Sequence, residues 1–150
     1  MPIFSNSYLL FATFSLIIQA IIMFLLLYGY WLKRNVDFLA HAKVMTAALI
    51  LHLSMIFTVM VPSLILALVP VFVVPHTLVL TSLVTLVHAP LGAVAVSLGL
   101  WLVLSWRRSG GLEGCFKRKK IMFAAMSIWL AAFFFGFALY ASLYWTALMG

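Results

Sequence analysis

Residues 8–32 read YLLFATFSLIIQAIIMFLLLYGYWL, residues 33–43 read KRNVDFLAHAK, and residues 44–66 read VMTAALILHLSMIFTVMVPSLIL. Two apolar runs flank a short basic segment, and this pattern decides the fold. A helix crossing the roughly 30 Å hydrocarbon core needs about 20 mainly apolar residues at about 1.5 Å each. Both runs are long enough, and two more follow, at about 77–104 and 121–145. Backbone groups in lipid must bond within their own segment, so four spans with short connections predict an all-α integral membrane protein. The expected architecture is a single four-helix up-and-down bundle over residues 1–150. Composition agrees: 67% of residues are hydrophobic and 7% charged, against roughly 25% charged in a soluble domain. No Lys or Arg precedes the first run and no small-residue cleavage site follows it, so it is expected to persist as a span rather than act as a removable signal.

Nine Lys and Arg against two acidic residues, Asp37 and Glu113, give a net charge of +7. Their placement argues for a membrane surface and against nucleic acid, because no basic face alternates with base-stacking aromatics. Lys33, Arg34 and Lys43 separate the first two spans; Arg107, Arg108, Lys117, Arg118, Lys119 and Lys120 separate the last two. By the positive-inside rule both basic connections are cytoplasmic and both termini lie outside. Interfacial aromatics match this, with Tyr28, Tyr30, Trp31, Trp101 and Trp106 on the inner side and Tyr8, Tyr140, Tyr144 and Trp145 on the outer. The outer link at 67–75, ALVPVFVVP, is apolar enough to pack on headgroups or a partner protein. Ala89, Ala93 and Ser97 in span three, with Gly92 and Gly99 nearby, and Ala132 and Gly136 in span four, are expected to pack helices closely.

No Asp or Glu lies inside a span, which excludes intramembrane carboxylate relays and four-glutamate dimetal sites. Cys115 has no histidine in its loop, so thiol catalysis is unsupported, and its basic surroundings fit a reducing compartment. Four histidines remain: His41, His52, His76 and His88. Imidazole at membrane depth is costly and is a good metal ligand, so these are the candidate functional residues. His41 falls at the inner mouth of span two, where Asp37 one turn earlier is its expected partner. His76 falls at the outer mouth of span three. His41 and His52 share a face but lie roughly 16 Å apart, too far for one metal. His52 and His88, on antiparallel spans, come within several ångströms of one depth, where a haem held by two helices would take one histidine from each.

His41-Ala42-Lys43-Val44-Met45 with Ala47-Ala48, Leu86-Val87-His88 with the run to Trp101, and Phe116-Lys117-Arg118-Lys119-Lys120-Ile121 with Ser127-Ile128-Trp129, Gly136 and Tyr140 resemble a family of four-span membrane proteins. It is the domain of unknown function 420 family, which includes the CtaM-type assembly factors of haem-copper terminal oxidases. The likeness covers about residues 33–145. The family's histidines in the basic opening of span four and near the outer end of span two have no counterpart here, so His41 and His88 match and His52 or His76 would substitute. The resemblance implies a prokaryotic cytoplasmic-membrane protein that binds haem, or a haem-containing oxidase partner, during oxidase assembly. The candidate cofactor-binding residues are then His88, His52 and His41, with His88 and His52 as possible iron ligands. With no acid, base or nucleophile in the spans, no enzymatic activity is expected. The alternative is an accessory structural subunit of a larger membrane complex.

Overall fold

In the computed structural model, which describes residues 6–63, 65, 79–109 and 117–149, every apolar run forms a helix. Helix α1 is Asn6–Arg34, α2 is Phe38–Met55, α3 is Val79–Ser109 and α4 is Lys119–Met149. No strand occurs among the described residues. A π-helical segment, Ile56–Met60, extends α2, so that one continuous span runs Phe38–Ser63. Four helices are therefore long and apolar enough to cross a membrane. The apolar link at 67–75, His76 and Cys115 lie outside the described residues.

The turn between α1 and α2 is shorter than expected. Backbone bonds run from Val36 N to the Lys33 carbonyl and from Asp37 N to the Leu32 carbonyl, the paired pattern that closes a helix C-terminus around a left-handed residue. That residue is Val36, at φ 65°. Asp37 then caps α2, its carboxylate accepting from Ala40 N at 3.0 Å. The second helix consequently starts at Phe38, not near residue 44, and His41 and Lys43 lie inside it. The π-helical turn also has a local cause. Pro62 has no N–H for the Thr58 carbonyl and its ring crowds that turn, and widening the preceding turn is one way a membrane helix accommodates this. Val61 N accordingly bonds to the carbonyl of Ile56.

The tightest partnerships are α3 with α4 and α1 with α2; sparser contacts join α1 to α4 and α2 to α3. Neighbours in this ring run antiparallel. Thr13 meets Tyr140 at 2.8 Å at the end holding both chain termini, while Arg118 reaches the Ser105 carbonyl at the end holding the basic connections. The molecule is thus two helical hairpins joined along thinner seams. Its core is Ile22, Leu26, Ala48, Leu49, Met55, Ala95 and Trp129. Large apolar side chains such as Phe11, Phe24, Phe57, Phe123 and Phe134 point outward, as lipid-facing residues do when lipid is as apolar as they are.

Small residues do bring the helices together, but not all of those the spacing picked out. Ala132 is buried and Gly136 lies against His88, as expected. On α3, however, Ala93 and Ser97 are exposed. Ala95 is fully buried instead, and Gly99 sits so close to α4 that an added Cβ would lie 2.9 Å from Trp129. The inward face of α3 is rotated away from the Ala89, Ala93, Ser97 row.

Candidate functional site

Of the three candidate histidines within the described residues, His41 lies at the basic end and is buried, at 7% exposure. Its Nδ1 is 2.7 Å from the Gly29 carbonyl. A carbonyl can only accept, so Nδ1 carries the hydrogen and Nε2 the lone pair. The expected pairing of its ring with Asp37 is not formed: that carboxylate caps α2, and Asp37 meets His41 through the backbone, its carbonyl accepting from His41 N. Capping wins because the first turn of α2 has free N–H groups within reach of a short side chain. Gly29 makes the approach possible, since an added Cβ there would lie 2.8 Å from Met45 Sδ.

His52 is 5% exposed and packs edge-to-face on Trp129, with ring centroids 4.9 Å apart at 68°. Its Nδ1 has no hydrogen-bond partner. Neither do Gln19 Nε2 and Trp129 Nε1, which are also buried. Counting back from the Gly29 contact with His41 places Gln19 about 15 Å along α1, and His52 lies about 16 Å along α2, so the two are level. The middle of the bundle therefore has a layer carrying three buried nitrogens without protein partners. Such groups are rare in folded proteins and mark a place for water or another polar ligand.

His88, half-buried on α3, donates from Nδ1 to the Ala132 carbonyl at 2.9 Å, which leaves the Nε2 lone pair free of that bond. Gly136 forms the floor under its ring: an added Cβ would lie 3.0 Å from Cε1 and 3.4 Å from Nδ1. Pro90, inside α3, removes the donor for the Leu86 carbonyl, two residues before His88. Since His52 meets Trp129 and His88 meets Ala132 and Gly136, the two imidazoles are offset along α4 by roughly 5–10 Å. The structure brings His52 and His88 into the same half of the bundle interior and leaves His41 apart.

Among the described residues no three His, Cys, Asp or Glu side chains gather as a metal site. Haem iron needs only axial ligands, and the donor chemistry fits it: His88 has one nitrogen anchored to a carbonyl, as metal-bound histidines do, and His52 has a buried nitrogen without a partner. The core near His52 includes Leu49 and Ala95, both buried. Sequence reasoning missed Trp129 as the neighbour of His52 and Gln19 as its level partner, and it picked out Gly99 without its contact with Trp129. The small residues of α3 and α4 hinted at close approach, and they did not indicate a histidine as the neighbour. No family model matches the chain, and no curated protein or solved structure matches it significantly.

Proposed function

We propose that this is a multi-pass protein of a prokaryotic cytoplasmic membrane that binds haem, or a haem-containing partner, in the assembly or support of a respiratory oxidase. Its basic ends face the cytoplasm and both termini face outward, and it belongs with the oxidase-assembly family it resembles. The observation that carries this reading is His88: its Nδ1–H is anchored on Ala132 at 2.9 Å, its ring rests against Gly136, and its remaining nitrogen has ligand character. Bound haem would supply a redox-active iron. The chain's part is to hold the imidazoles and orient the His88 ring through Ala132. On this reading the protein acts by binding.

The test is a visible spectrum of the purified protein in mild detergent, oxidised and reduced, before and after haem addition. Stoichiometric Soret and sharp reduced bands are expected, and His88→Ala should abolish them while leaving membrane insertion intact. A protein that stays colourless with added haem sinks the haem reading. The second reading, an accessory structural subunit, is favoured by the outward row on α3, where Ala93 and Ser97 are exposed and nothing lies within 4 Å of an added Cβ at Gly92. Colourless protein that co-purifies with larger subunits in fixed stoichiometry would establish that alternative.

A further inference from the structure

At the basic end, on the α3–α4 side and apart from His52 and His88, α3 and the turn leading into α4 frame an open groove of about 280 Å³ lined by Trp101, Leu104, Ser105, Arg108 and Arg118. Three of its properties belong together. Two guanidinium groups, Arg108 on α3 and Arg118 in the turn just before α4, line one small space, and guanidinium binds phosphate oxygens in a two-pronged geometry that ammonium does not match. One of them, Arg118, is held in position: its Cζ lies 5.7 Å from the Trp101 ring centroid and its Nη1 donates to the Ser105 carbonyl at 3.5 Å. The remaining wall is apolar, and Trp101 and Leu104 are each 46% exposed toward the side where lipid would lie.

The depth of the groove is equally specific. The membrane-crossing stretch of α3 ends at Arg108 and that of α4 begins at Lys119, so the groove spans the boundary between hydrocarbon and headgroups. Arg107, Lys117, Lys119 and Lys120, each next to a groove arginine in sequence or within two residues of one, are exposed and raise the local positive potential. A free anion would be served by the arginines alone, whereas a ligand with a phosphate and an attached apolar chain uses both walls. We propose that this groove is a binding site for the phosphate of an anionic phospholipid, with Arg108 and Arg118 on the phosphate and Trp101 and Leu104 against the glycerol and upper acyl chain. The site is independent of the haem reading.

Native mass spectrometry of the full chain, delipidated in mild detergent, tests this against phosphatidylglycerol, phosphatidylcholine and inorganic phosphate. Phosphatidylglycerol should bind at least about fivefold more tightly than phosphatidylcholine, and inorganic phosphate should compete poorly. Arg108→Gln, at an exposed helix end where folding is not at stake, should weaken phosphatidylglycerol about fivefold, and Arg108→Gln with Arg118→Gln about 25-fold, taking the usual contribution of one basic residue near the surface. Lys33→Gln with Arg34→Gln, at the other basic connection, should leave binding unchanged. Equal binding of phosphatidylcholine, unchanged affinity in both arginine variants, or an equal loss in the Lys33 and Arg34 variant would overturn the site. Inorganic phosphate binding as tightly as the lipid would overturn the lipid assignment in favour of a small-anion site.

Discussion

Gly136 and Gly29 look alike in sequence, yet contact geometry makes them unequal. An added methyl at Gly136 would lie 3.0 Å from an imidazole ring already tied to Ala132, whereas at Gly29 the nearest atom belongs to the flexible Met45 side chain. Ring and carbonyl cannot both stay in place, while a methionine can turn away. Gly136→Ala is therefore expected to destabilise the protein by about 1–3 kcal/mol, in the range of overpacked cores. Gly29→Ala should cost less, part of it offset by the better helix propensity of Ala. Thermal unfolding of both variants in one detergent checks the order; equal costs would mean that the His88 seat is loose. The three orphaned nitrogens of Gln19, His52 and Trp129 are the other feature at this scale. Their residue types were readable from the sequence. Their shared depth became visible only once the Gly29 contact set the register of α1 on α2.

Among the elements, the α1–α2 turn carries the clearest strain. Val36 holds φ 65°, a conformation that costs a β-branched residue roughly 1–2 kcal/mol and a glycine almost nothing. Its side chain is 68% exposed, so little packing would be lost on removing it. Val36→Gly should stabilise the protein by about 1 kcal/mol, less the extra freedom it gives the unfolded chain; an unchanged or lowered melting temperature would show that the turn is not strained. The start of α2 was misjudged for a related reason. Hydropathy sees charge at Asp37, His41 and Lys43 and ends the segment, but Asp37 caps a helix, and the imidazole of His41 is satisfied by a carbonyl across the turn. Polar residues at a helix mouth read as loop until their hydrogen bonds are known.

For the whole molecule, all nine Lys and Arg fall in or beside the two connections at one end, so the orientation has a direct test. Cys115, the one cysteine of the chain, belongs by sequence to the second basic connection. A membrane-impermeant thiol reagent should label it in permeabilised cells and not in intact ones; labelling in intact cells would invert the topology. Division into two tight hairpins with thin seams between them is also a property of the whole. It sets the arginine groove, on the α3–α4 hairpin, apart from the seam between α2 and α3.

That the chain holds four helices long and apolar enough to cross a membrane, separated in two places by basic residues, was legible in the sequence alone, because apolar length and charge position are one-dimensional quantities. The candidacy of His52 and His88 was determined the same way, since an imidazole in an apolar run is costly wherever it points. Which small residues face inward was not. Helices hydrophobic on all sides give periodicity no polar face to register, so Ala95 and Gly99 rather than Ala93 and Ser97 became the packing surface of α3 only through contact with Trp129 and Leu49. The partners of the histidines, Gly29 for His41, Trp129 for His52 and Ala132 for His88, come from other helices. Interhelical register is set by packing, and only the tertiary structure decides it.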